Sequence, residues 1–117
     1  MSIAYSNGAR AAVYRPDGTT LVVNEGPVNF QIATKRFIEA MAQARNQDYS
    51  NTYRCRVDQK NLVDGMYPQQ GDIITVTQFA KQPDLLGRWV VDETEVYTGP
   101  LKSTLLYCSR EVLNDNL

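Results

Sequence analysis

Residues 52–57 read Thr52-Tyr53-Arg54-Cys55-Arg56-Val57, and their alternation sets Tyr53, Cys55 and Val57 on one side of an extended chain and Arg54 and Arg56 on the other. A period of two with one apolar and one charged side is the pattern of a half-buried strand. Downstream, Asp72-Ile73-Ile74-Thr75-Val76-Thr77-Gln78-Phe79 is rich in β-branched residues, and Arg88 to Tyr97 and Thr104 to Ser109 continue the theme. Between them stand Gly65 to Gly71 with Pro68, the segment Ala80 to Gly87, and Thr98-Gly99-Pro100, all with turn chemistry. Short strands at this spacing predict a small antiparallel sheet or partly closed barrel, with its core over about 52–110.

Upstream, Ala11 to Val23 holds two β-prone runs around Pro16-Asp17-Gly18. Pro16 presets φ, Asp17 can accept hydrogen bonds from its own backbone neighbours, and Gly18 tolerates positive φ, so 11–23 is a predicted β-hairpin. Asn24-Glu25-Gly26-Pro27 interrupts the pattern. Ile32, Ala33, Phe37, Ile38, Met41, Ala42 and Ala44 then recur at three- and four-residue intervals, which predicts one amphipathic helix over about 30–45. The expected whole is one mainly β domain (α+β) spanning 1–117, with about five or six strands and that single helix. Trp89, Val57, Ile74, Val76, Val91, Leu106 and Cys108 should form its core with Ile38 and Met41.

The chain has 117 residues, enough for one modest core, and 43% hydrophobic with 21% charged residues is the balance of an ordinary folded domain. Twelve basic against thirteen acidic residues leave a net charge of −1, without the basic excess that displaces counterions from nucleic acid. No apolar run approaches the roughly 20 residues of a membrane helix, and the polar start does not resemble a signal peptide, so a cytoplasmic protein is expected. Cys55 and Cys108 are too few for a disulfide framework and read as buried thiols.

Histidine is absent. That removes Ser-His-Asp and Cys-His catalysis and the commonest metal ligand. Asp92, Glu93 and Glu95 are the densest carboxylates, with Glu93 and Glu95 on one side of a strand; they read as a solvated face, because no second cluster with metal-loop spacing accompanies them. The glycines stand singly, so no phosphate-cradling loop exists. An enzyme is not expected, nor a cofactor or metal. Tyr53 with Arg54 and Arg56 is the best local candidate for a base-stacking platform, which keeps an OB-like single-strand binder as the alternative. In the loop Ala80 to Gly87, Leu85 and Leu86 lie side by side after Pro83. Either one folds back onto the sheet, or the pair projects as an anchor for a neighbouring subunit.

Tyr53-Arg54-Cys55-Arg56-Val57, Gly71-Asp72-Ile73-Ile74-Thr75-Val76, Gly87-Arg88-Trp89-Val90-Val91-Asp92 and Leu105-Leu106-Tyr107-Cys108, with the opening Val13 to Gly18, together resemble the head-closure, or head–tail connector, proteins of tailed bacteriophages. The resemblance implies a structural protein of the virion neck, assembled in the host cytoplasm as a ring of identical subunits. Portal or adaptor protein would lie on one side and tail-terminator or tail-tube protein on the other. DNA would pass through without being gripped. Leu85, Leu86 and Pro83, with Tyr14, Pro16 and Asp17 of the hairpin, are then the expected subunit contacts. The internal helix departs from many members and leaves adaptor, stopper and tail-completion protein open.

Overall fold

In a computed structural model, which describes residues 6–33, 39, 52–97 and 102–110, the alternating stretches become six strands. They are β1 (Ala9–Tyr14), β2 (Leu21–Ile32), β3 (Tyr53–Asp58), β4 (Ile73–Gln78), β5 (Gly87–Tyr97) and β6 (Ser103–Arg110). Neighbours pair antiparallel in the order β1-β2-β3-β6-β5-β4, and β4 pairs back onto β1, so the sheet closes completely. The N-terminal hairpin is therefore part of the barrel and not an addition to a core that starts near residue 52. Closure removes most of the sheet edges a small open sheet would expose.

Side chains fill the inside. Val13, Val22, Val28, Phe30, Cys55, Val57, Ile74, Val76, Trp89, Val91, Leu106 and Cys108 are buried in one cluster, which includes every described residue expected in the core. At one end Phe30 stacks on Tyr53 at 5.5 Å between ring centres, and the Trp89 ring meets each of them at 5.0 Å. Offset and edge-on contacts of this kind suit the aromatic quadrupole. On the outer surface the Arg10 guanidinium donates to both oxygens of Glu25, which also accepts from Thr77, tying β1 to β2 and β4.

The predicted helix over 30–45 begins too early, because Phe30, Gln31 and Ile32 belong to β2. The strand runs through Asn24 to Pro27 without a break, with Gly26, Val28 and Phe30 buried in a period of two. Two sets of partners fix this: Asn29 to Ile32 pair with Arg56 to Tyr53, and the Asn7 side chain bonds both backbone groups of Phe30. Pro27 is tolerated because β3 pairing starts only at Asn29, so no ladder bond needs the missing N–H. Glu39 is helical and exposed; the rest of the predicted helix beyond Ala33, with Ile38 and Met41, lies outside the described residues.

From β3 the chain crosses to β4 on the far side of the barrel. It turns through a 3₁₀ segment, Gln59–Asn61, whose preceding Asp58 accepts from the Lys60 amide. Leu62 bridges to Val23, and the Val63 amide donates to Val22. Leu62 and Met66 thereby pack on the core and stopper this end of the barrel.

Candidate functional site

Function has to be sought on the outside and at the two ends, because the interior is occupied by side chains. The end bearing the β4–β5 loop is held rigidly. Phe79 is buried, and Pro83–Leu85 form a 3₁₀ turn that sends Leu85 into the core at 6% exposure. The Leu85 carbonyl accepts from the Trp89 indole N–H at 3.0 Å and from Arg110, whose guanidinium also donates to the Asp84 carbonyl and lies 4.7 Å from the Trp89 ring centre. The two leucines are thus separated: Leu85 is a core residue, and only Leu86, 37% exposed, is available to a partner. Pro83 is exposed beside them.

At the opposite end the β1–β2 turn projects with Pro16 and Asp17 exposed and Tyr14 half-buried. Asp17 accepts from the Thr19 and Thr20 amides at 2.8 Å and from the Thr20 hydroxyl, and these bonds, that hydroxyl first, hold its carboxyl down at about 2. Behind the turn, fully buried Asp72 accepts from Arg15 Nη1 and from the Gln69 amide, each at 2.8 Å, while Arg15 also donates to the Tyr67 carbonyl. The Tyr67 ring is left 67% exposed. An open depression of about 210 Å³ between Gln59 and Tyr67 has Asp64 as the one carboxylate among its described lining residues, which is too little for paired acid–base work among them.

The outer wall carries two cross-strand rows. Gln31, Arg54, Tyr107 and Glu93 form one; Asn29, Arg56, Leu105 and Glu95 form the other. A bulge at Asp92, the extra residue between the Val91–Cys108 and Glu93–Tyr107 pairs, lets Glu93 and Glu95 share the outer side with Tyr107 and Leu105. Leu105 and Tyr107 are nevertheless buried, in a small outer cluster with Ala33. Burial raises the Tyr107 hydroxyl, with Glu95 adding to the rise and Arg54 and Arg56 opposing it. Partial burial raises the Asp92 carboxyl, a Ser109 hydrogen bond opposes this, and the neighbouring Glu93 charge adds to it.

No group of three metal-ligating side chains occurs among the described residues. Tyr53 turns inward against Phe30 and Trp89 while Arg54 and Arg56 turn outward, so the three do not form one stacking platform. Cys55 and Cys108 are free thiols inside the barrel; burial pushes Cys55 up to about 12 and raises Cys108 as well. What remains is a set of apolar side chains exposed at opposite ends: Ile32 and Leu86 at one, Tyr67 and Val96 at the other. Sequence reasoning found Leu86 but missed the other three, which sit in ordinary strand or loop contexts that carry no signal of exposure. No family model, curated protein or solved structure matches the chain.

Proposed function

We propose that this chain is a non-catalytic structural subunit of a symmetric assembly, and specifically of the ring in the neck of a tailed bacteriophage, between portal or adaptor protein and tail. The observation that carries the reading is the pairing of a side-chain-filled barrel with large apolar residues left exposed at both of its ends. A rigid closed body with contacts at opposite ends suits repeated association, in which one surface of a subunit meets a different surface of the next. Supporting it, the four stretches that resemble head-closure proteins all contribute to barrel strands, and the chain has no histidine and brings together no group of three metal-ligating side chains among the described residues. A near-neutral chain also suits a wall past which DNA must slide.

Sedimentation of the purified full chain, with negative-stain microscopy of the product, tests this reading. The expected result is a discrete oligomer seen as rings, alone or on addition of the portal-side or tail-side partner. A monomer under all of these conditions overturns it.

A further inference from the structure

The closed barrel leaves one stretch of strand edge open among the described residues. Up to Val90, β5 is zipped to β4. Gly71 and Asp72 extend the contact by one residue: the Gly71 amide donates to the Val91 carbonyl and the Val91 amide to the Asp72 carbonyl, both at 2.9 Å. Beyond the Asp92 bulge, Glu93 to Tyr97 pair with Tyr107 to Ser103 of β6 on one side only.

Antiparallel alternation determines which backbone groups are left over. Val91 points its N–H and C=O away from β6, the bulge inserts one residue, and Glu93, Glu95 and Tyr97 then face β6. Thr94 and Val96 therefore direct their N–H and C=O groups outward, and none of these has a described partner. Val96 is 56% exposed, and Thr94 and Glu95 are exposed beside it. The comparable stretch of β2 is different, because the Gln59–Asn61 turn packs there with the Asn61 side chain over Gly26.

Natural edges are blunted by Lys, Pro, bulges, charges or a covering loop. Thr94-Glu95-Val96-Tyr97 has no Lys or Pro and no covering loop among the described residues, and its bulge lies before it at Asp92. Thr94, Val96 and Tyr97 are β-prone, and Glu95 is its one charge. Its charge selects the occupant. In full overlap a second copy of the same edge would set Glu95 against Glu95, and like charges directly opposite are destabilising. A cation at that place reverses the sign. We propose that the open edge of β5, Glu93–Tyr97, accepts an extended segment of a partner protein by strand addition, one that places Lys or Arg beside Glu95 and β-branched side chains beside Val96. Main-chain bonds to Thr94 and Val96 supply affinity, and the alternating side chains supply selectivity.

The proposal does not depend on ring formation, and its test reads the full chain in isolation. The capped peptide TKVKVKT and its charge-reversed counterpart TEVEVET are titrated into nitrogen-labelled protein. TKVKVKT should shift and protect the amides of Thr94 and Val96 and bind about tenfold more tightly than TEVEVET, the preference expected from a few like-versus-opposite cross-strand pairs. Glu95→Lys should reverse the preference. Val96→Pro, which removes an outward donor and leaves the β6 ladder intact, should melt like the wild type and lose binding. Equal affinity for the two peptides, shifts confined to other strands, or no shift at millimolar TKVKVKT would overturn the proposal while leaving the assembly reading in place.

Discussion

Arg15 and Asp72 join three segments that are distant in sequence: the β1–β2 turn, the crossing segment through Tyr67 and Gln69, and the entry to β4. Asp72 is fully buried while the Arg15 side chain is 21% exposed, so removal of either partner should have unequal consequences. Arg15→Met strands a carboxylate away from water, and breaking a buried pair in this sense costs about 3–5 kcal/mol. Asp72→Asn keeps an oxygen for the Gln69 amide and leaves a guanidinium that can turn toward solvent, so about 1–2 kcal/mol is expected. The double variant should lie closer to Asp72→Asn than to the sum of the two, because no charge is left buried. For a domain of this length the larger loss corresponds to a fall in melting temperature of roughly 10–20 °C. Urea unfolding of the three variants supplies the cycle, and hydrogen exchange should show the 59–72 crossing opening first in Arg15→Met. An Arg15→Met loss below that of Asp72→Asn would refute the assignment of this pair as the strut of the crossing.

Leu85→Ala should lose about 2–4 kcal/mol in chemical denaturation as a core truncation, whereas Leu86→Asp should melt as the wild type and weaken the oligomer in sedimentation. Cys55 and Cys108 should remain unreactive to Ellman's reagent at pH 8 until the chain is unfolded, since burial holds both as thiols; rapid labelling of the native protein would contradict that. Asp17 is more acidic folded than unfolded, so its contribution to stability is complete above its ordinary value of 3.8 and disappears as pH falls toward about 2; Asp17→Asn should flatten the unfolding curve in that window and nowhere else. Gly87, at φ +107°, should resist replacement: Gly87→Ala is expected to lose about 1–2 kcal/mol by thermal melting, from backbone strain.

Much of the barrel was legible along the chain because a strand that is wet on one side must alternate. Tyr53 to Val57, Ile73 to Val76, Trp89 to Val91 and Leu106 to Cys108 announce both their state and their buried members, and Pro16-Asp17-Gly18 announces its turn. Where two periods overlap, local reading fails: Phe30 and Ile32 fit a helical stripe as well as a strand, and pairing with β3 together with the Asn7 side chain decides for the strand. The same limit hides the ends of the barrel. Leu85 and Leu86 are equivalent as adjacent letters, and only the 3₁₀ turn bonded to Trp89 and Arg110 sends one inward and the other outward. Glu93 and Glu95 necessarily share a side, because strand residues two apart do so. Which side that is depends on a bulge at Asp92, and the open edge beyond it depends on β4 stopping short of β5. Alternation is a property of the chain itself, whereas register, bulges and unpaired edges are properties of partners brought together from distant positions.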